Sequence, residues 1–174
     1  MIALLVARLK RRLSPRQFVQ VLATHDLGKK HVNRLLRKTG VATPGDAVIR
    51  APFYFERGNI RLGHRVFINT GCVFLDEAPI SIGDRTMLGP KVSLCTTGHD
   101  THPDRRATHH TSAPITIGEN VWIGAGVVVL PGVTIGANSV IAANSVVTTD
   151  IPENVLYAGS PARFKRSLLI DPQD

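Results

Sequence analysis

Aromatic residues are scarce in this 174-residue chain: one Trp, two Tyr and six Phe, only 5% of the whole. A core of large stacked rings is therefore excluded, and the 43% of hydrophobic residues must pack chiefly as Val, Ile, Leu and Ala. Cysteine is equally sparse. Cys72 and Cys95 have no metal-binding or redox spacing, both fall in strand-like apolar stretches, and both are expected to be buried free thiols. That usage points weakly to a reducing compartment, and the cytoplasm is the expected location. No apolar run approaches the ~18 residues of a membrane-spanning helix. The opening Ile2–Val6 run is too short for a signal peptide and lacks preceding charge. Neither GxGxxG nor a Walker sequence is present, so nucleotide binding by those routes is unsupported.

Acidic residues are missing from one part of the chain in particular. Residues 1–40 hold ten Lys/Arg and a single acid, a charge of +9, whereas residues 41–174 hold eleven Lys/Arg and twelve acids, a charge of −1. The overall +8 belongs to an N-terminal arm, residues 1–43. This arm reads helical from the rhythm of Phe18, Val19, Leu22, Val32, Leu35 and Leu36. It forms either a solvated helical face or a surface for an anionic membrane or an acidic polymer, the latter making the protein peripheral to the inner membrane face. No nucleic-acid motif accompanies the charge, and no nucleic-acid partner is expected.

What the sequence has in abundance is a period of six. A large apolar residue recurs at Leu62, Ile68, Phe74, then Ile82, Leu88, Leu94, then Ile117, Ile123, Val129, Ile135, Ile141 and Val147, often followed by Gly. Four positions after each stands Val66, Cys72, Ala78, Thr86, Val92, Gly98, Val121, Val127, Val133, Ser139, Ser145 or Ile151, of which all but Ile151 are small, short β-branched or Cys. Neither helical spacing nor simple alternation repeats every six. A parallel β-helix does: each hexad is a short strand and a turn, and three hexads close a triangular coil. The expected fold is mainly β, a left-handed parallel β-helix over 44–152. Coils run at 62–79, 82–99, 117–134 and 135–152, with a looser one at about 44–61. Residues 100–116 form a protruding polar loop, too long for an idle turn. Residues 153–174 cap the last coil, with a short strand or helix over Phe164–Ile170.

Within this frame several segments are distinctive. Pro114-Ile-Thr-Ile-Gly-Glu-Asn-Val-Trp-Ile-Gly124, Leu130-Pro-Gly-Val-Thr-Ile-Gly136, Val146-Val-Thr-Thr-Asp-Ile-Pro152, Gly159-Ser-Pro-Ala-Arg163 and Thr97-Gly98-His99 resemble the hexapeptide-repeat acetyltransferases, in particular the maltose, galactoside and nodulation O-acetyltransferase branch. The likeness covers roughly residues 50–166. It implies a homotrimer with active sites between subunits and direct acetyl transfer from acetyl-CoA to a hydroxyl of a saccharide or saccharide-like acceptor, with no metal required. It implies that His99 is the base, that Asn69 lies near the acetyl and acceptor groups, and that Phe67, Glu77 and His110 lie on the acceptor side. On the CoA side it implies Trp122 beside the pantetheine channel, Ala125 and Ala143 along the pantetheine arm, Thr148 and Thr149 near the CoA, and Arg163 and Arg166 near its phosphates.

The sequence also departs from the family. Residues 1–40 do not match the helical cap of the sugar branch. Phe55 stands for a Ser, Phe67 for a Tyr, Gly71 for an Asn, Glu77 for an Asp, and Thr149 for a Lys. The donor side is thus better matched than the acceptor side. N-acetylation and an antibiotic hydroxyl remain alternative acceptor chemistries.

The residues themselves support this reading and leave alternatives. Attack on a thioester needs a base tuned near neutral pH, which suits histidine. His102, His109 and His110 read either as solvated loop residues or as acceptor contacts. A metal site like that of the γ-class carbonic anhydrases, which share the β-helix, fits a loop cluster poorly. Asn69 is a hydrogen-bonding group or a turn residue, Trp122 a channel wall or an edge cover, and Arg163 and Arg166 phosphate ligands or surface charge. A catalytically inactive scaffold is the remaining rival, against which the Thr97–His99 motif stands.

Overall fold

The computed structural model describes residues 2–168. Its centre is a parallel β-helix of triangular section, each turn giving one short strand to each of three sheets. The first sheet stacks Val48–Ile49, Phe67–Ile68, Met87–Leu88, Trp122–Ile123, Val140–Ile141 and Val155–Ala158, with Arg163–Ser167 added antiparallel at its edge. The second stacks Phe53–Phe55, Cys72–Leu75, Ser93–Cys95, Val128–Val129 and Val146–Val147. The third stacks Ile60–Leu62, Ile80–Ile82, Ile115–Ile117 and Thr134–Ile135. An isolated pairing of Ala42 with Arg61 adds one more rung to this sheet, so coil pairing begins at Ala42.

The period of six sets the packing. All twelve large apolar positions from Leu62 to Val147 are buried, and so are all the positions four residues after them except Gly98. Like stacks on like: Ile82 pairs with Ile117, and Ile117 with Ile135. The glycines after the large residues are required by the closeness of the coils. A Cβ on Gly124 would lie 2.6 Å from the backbone N of Ala143, and one on Gly118 would lie 2.7 Å from that of Ala137. Corners turn through left-handed backbone at Asn120, Asn138 and Asn154, with φ between 54° and 58°. Their amides form a ladder, Asn120 donating to Asn138 at 2.9 Å and Asn138 to Asn154 at 3.0 Å. At the first corner Asp46 accepts from the Arg65 backbone N–H and meets the His64 ring, which together hold its carboxyl below the usual range.

A deeper corner is held by a charge. Asp76 is fully buried, and its carboxylate accepts from four successive backbone N–H groups: Glu56 and Arg57 at 2.7 and 3.1 Å, Gly58 and Asn59 both at 2.7 Å. This ties the turn at 56–59 to the coil above it.

The N-terminal region forms three helices: α1 (Ile2–Leu9), α2 (Pro15–Thr24) and α3 (Lys29–Arg37). A capping box starts α2. Gln17 N–H donates to Ser14 Oγ at 3.2 Å, and Ser14 N–H donates to Gln17 Oε1 at 3.1 Å, with Pro15 opening the helix. These helices are not a detached arm. Phe18, Val21, Leu22, Val32, Leu35 and Leu36 are buried in the same apolar cluster as the coils, and Phe18 meets the Phe55 ring at 5.7 Å. They close the lower end of the β-helix, where unpaired coil backbone and core would otherwise face water.

Three further expectations are revised. Residues 100–116 are not loop throughout: His110–Ser112 pairs antiparallel with Thr97–His99, and Ile115–Ile117 already belongs to the third sheet. The excursion is a hairpin, because the Thr- and His-rich flanks can satisfy each other's backbone groups outside the solenoid. Cys72 is buried but Cys95 is only half-buried, since it occupies an outward position of its strand. The element expected over Phe164–Ile170 is a strand over Arg163–Ser167, and its last two residues lie outside the described residues.

Removing the Asp76 carboxylate leaves four backbone donors facing the interior, each costing roughly 1–3 kcal/mol when unsatisfied. Asp76→Ala is therefore expected to lower unfolding free energy by at least ~3 kcal/mol in urea titration. A loss below ~1 kcal/mol would show that the corner does not depend on it.

Candidate active site

Strand alternation makes a groove on the outer face of the first sheet. Ile68, Leu88, Ile123 and Ile141 point inward, so the residues before them point out. Phe67, Met87, Trp122, Val140 and Leu156 are stacked in that order by the ladder pairing. Together with the corner residues Asn69, Pro90, Ala125 and Ala143 they line a mainly apolar groove of about 650 Å³. Small residues at 125 and 143 keep its floor open, and Trp122, 54% exposed, forms a wall. At one end, Arg166 pairs across from Leu156, and Arg163 across from Ala158. Beneath it Cys72 donates to the Gly89 carbonyl at 3.3 Å, and burial raises its thiol above the usual range. Asn69 accepts from Thr70 N–H at 2.8 Å through Oδ1. Its amide NH₂ has no hydrogen-bond partner among the described residues and remains available at the groove edge.

A second group gathers at the corner between the second and third sheets, where the hairpin leaves. His99 lies opposite His110, and both are exposed. The His99 Nδ1 is 2.9 Å from the Arg106 carbonyl oxygen. A carbonyl only accepts, so Nδ1 carries a hydrogen, and in the neutral ring the lone pair lies on Nε2. The hairpin tip that presents this carbonyl is tied down by its own polar contacts. Arg105 pairs with Asp100 at 3.0 Å, Arg106 donates to the Thr101 carbonyl at 3.1 Å, and Asp100 accepts from His102 N–H at 2.8 Å. His102 and His109 are engaged locally, with Asp104 and Thr108 respectively. Glu77 occupies the same corner one coil earlier, next to the Ala78–Thr96 contact, and Arg57 holds its carboxylate. Thr148 and Thr149 are exposed on the last coil, following Val146–Val147.

The residues singled out from the sequence thus fall into separate places. Phe67, Asn69, Trp122, Ala125 and Ala143 come together in the groove, flanked by Arg163 and Arg166. His99, His110 and Glu77 share the opposite edge of the second sheet. One chain does not bring these groups together, since no residue of the hairpin lines the groove. The outward side of the intervening sheet carries Tyr54, Val73, Leu75, Ser93, Cys95, Val128 and Val146, a mainly apolar surface, whereas the third sheet turns Arg61, Ser81, Thr116 and Thr134 outward. Met87, Val140 and Leu156 were not singled out from the sequence, although the outward position just before each buried hexad residue marks the first two. Among the described residues no three His, Cys, Asp or Glu side chains are grouped to hold a metal ion.

A parallel β-helix with an apolar groove on one face and a hairpin-borne histidine is the architecture of an acyl-group transferase. The family model described as bacterial transferase hexapeptide (six repeats) matches residues 114–149. Nodulation protein L of Rhizobium meliloti is 48% identical over 128 residues, 72% of this chain and 69% of that protein. The solved hexapeptide-repeat acetyltransferase of Vibrio cholerae O1 biovar eltor, complexed with acetyl coenzyme A, superposes with a TM-score of 0.84 at 40% identity, covering 90% of this chain and 86% of that one. A galactoside acetyltransferase in complex with coenzyme A gives a TM-score of 0.82 at 36% identity, covering 97% and 84%. The chain belongs to the hexapeptide-repeat acetyltransferases.

Proposed function

We propose that the chain is an O-acetyltransferase acting on a saccharide or saccharide-like hydroxyl, with His99 as general base. The observation that carries the proposal is the Nδ1 contact to the Arg106 carbonyl, which fixes the tautomer and leaves Nε2 basic. Nε2 takes the acceptor's hydroxyl proton as the oxygen attacks the thioester carbonyl. The resulting oxyanion collapses, the C–S bond breaks, and the imidazolium returns the proton to the departing thiolate. The free amide of Asn69 supplies a neutral donor for the acetyl or acceptor oxygen. Phe67, Glu77 and His110 shape the acceptor side. Glu77, oriented by Arg57, offers a fixed acceptor for sugar hydroxyls.

For the donor, Trp122 with Ala125 and Ala143 borders the pantetheine arm, which the width and apolar character of the groove suit. Thr148 and Thr149 lie near the CoA, and Arg163 and Arg166 meet its phosphates. Guanidinium matches phosphate through paired donors, and both arginines lie on the strand flanking the groove. Because the groove and His99 lie on opposite edges of one sheet, we place each active site between neighbours of a homotrimer, with the groove of one subunit facing the hairpin of the next. The apolar outer side of the second sheet supports that assembly.

His99→Ala is expected to lower turnover ~10²–10⁴-fold with acetyl-CoA affinity little changed, followed by thiol release across a panel of sugar acceptors and by calorimetry. Turnover close to the parent's would remove His99 from the chemistry. Light scattering is expected to give about three times the 18.9 kDa chain mass. A fully active monomer would overturn the shared site.

A further inference from the structure

The helical cap carries features that acetyl transfer does not use. Across α1, Leu4 and Ala7 pack toward the core, whereas Leu5 and Leu9, four residues apart on the other side, are 58% and 78% exposed. The chain then runs directly into Lys10, Arg11 and Arg12, all exposed, and on to exposed Arg16. None of these four cations has a hydrogen-bond or ion-pair partner among the described residues. Arg11, Arg12 and Arg37 line a recess of about 470 Å³, and Arg37 also donates to the Pro44 carbonyl at 3.4 Å. Lys38 closes one side of the recess by donating to the Ala7 carbonyl in the last turn of α1 at 3.1 Å and to the Lys10 carbonyl just beyond the helix at 2.7 Å, which ties the helix end to the recess. No helix among the described residues is long and apolar enough to cross a membrane.

We infer that this end of the molecule docks on an anionic phospholipid surface, with Leu5 and Leu9 entering the headgroup boundary and Arg11, Arg12 and Arg37 receiving lipid phosphates. Charge selects the partner: the cap carries +9 while the rest of the chain carries −1, so attraction is confined to this end. The leucines select lipid over a soluble polyanion, because a fully hydrated polymer gives an exposed apolar stripe no place to be buried. Three arginines line the recess, and guanidinium matches phosphate through paired donors. The groove and the hairpin lie on the β-helix, outside this surface. Docking through the cap therefore leaves both in reach of acetyl-CoA from solution.

The test sediments the full chain with vesicles of phosphatidylcholine alone and of phosphatidylcholine mixed with phosphatidylglycerol. The chain is expected to bind the mixed vesicles, more weakly as salt rises, and to leave the neutral ones. Arg11→Ser combined with Arg12→Ser is expected to weaken binding about thirtyfold, and Leu9→Ser at least about fivefold. Because all three side chains are exposed, thermal melts should match the parent. Absent or equal binding to the two vesicle types overturns the inference, as does unchanged affinity in either variant. Release from the vesicles by hyaluronate at matched charge assigns the cap to acidic polymer instead and also overturns it. Acetyl-CoA affinity is expected to be unaltered in both variants. Its loss with vesicle binding retained would make the arginines donor ligands and overturn the inference.

Discussion

Each coil of this molecule is held by the coil above and the coil below. Its strands are two to four residues long, far too short to persist alone, and their N–H and C=O groups are satisfied only by neighbours one turn away. Everything else follows from the need to keep successive coils in contact. Glycines stand wherever a Cβ would meet the backbone of the next turn, and asparagines turn the corners and link them by their own amides. The interior is filled by one large and one small side chain per hexad. A one-dimensional stack of this kind has two ends, and each must be closed. Here Phe18, Leu35 and Leu36 cover the lower end, and the strand pair Val155–Ala158 and Arg163–Ser167 finishes the first sheet at the upper one.

The same constraint produces the functional surface. A scaffold whose interior is full can bind only on its faces and corners. Alternation along each strand hands those faces to the residues between the buried ones. On the third sheet these are polar or charged, and on the first and second they are mainly apolar. The apolar first face has become a groove, with Ala125 and Ala143 as its floor and Trp122 as its wall. The hairpin is the one long departure from the coils. Its polar tip serves to hold a carbonyl against a ring nitrogen, which decides which nitrogen of His99 is basic. A rigid, stacked frame is well suited to this, since the positions it offers are repeated at fixed spacing and cannot drift independently.

Charge is arranged on a coarser scale. The coils are nearly neutral and the cap strongly cationic, so the electrostatic character of the molecule changes along its axis rather than around it. The cap thus joins two roles in one element: its buried side seals the β-helix and its outer side presents exposed cations beside exposed leucines. Amphipathic helices are economical in this sense, because the core needs only one stripe of each helix and leaves the other free.

The sequence alone determined the solenoid, because a period of six is imposed by geometry that no helix or flat sheet shares. All twelve large hexad positions, Leu62 to Val147, are interior, as the repeat required. The motifs around His99, Trp122 and Gly159–Arg163 were legible for the same reason: they interrupt or decorate a regular pattern and so stand out from it. What the sequence could not give was anything that depends on which residues meet across coils. The pairing of His110 with His99, the Arg106 carbonyl on the imidazole, and the four amides closing on Asp76 all join residues by folding rather than by spacing. The half-exposure of Cys95 rests on its facing outward in a strand whose neighbours look equally apolar. The basic segment read as an arm because its charge is local in sequence; in the tertiary structure it is a lid, and the burial of Phe18 against Phe55 requires the end of the β-helix to exist first.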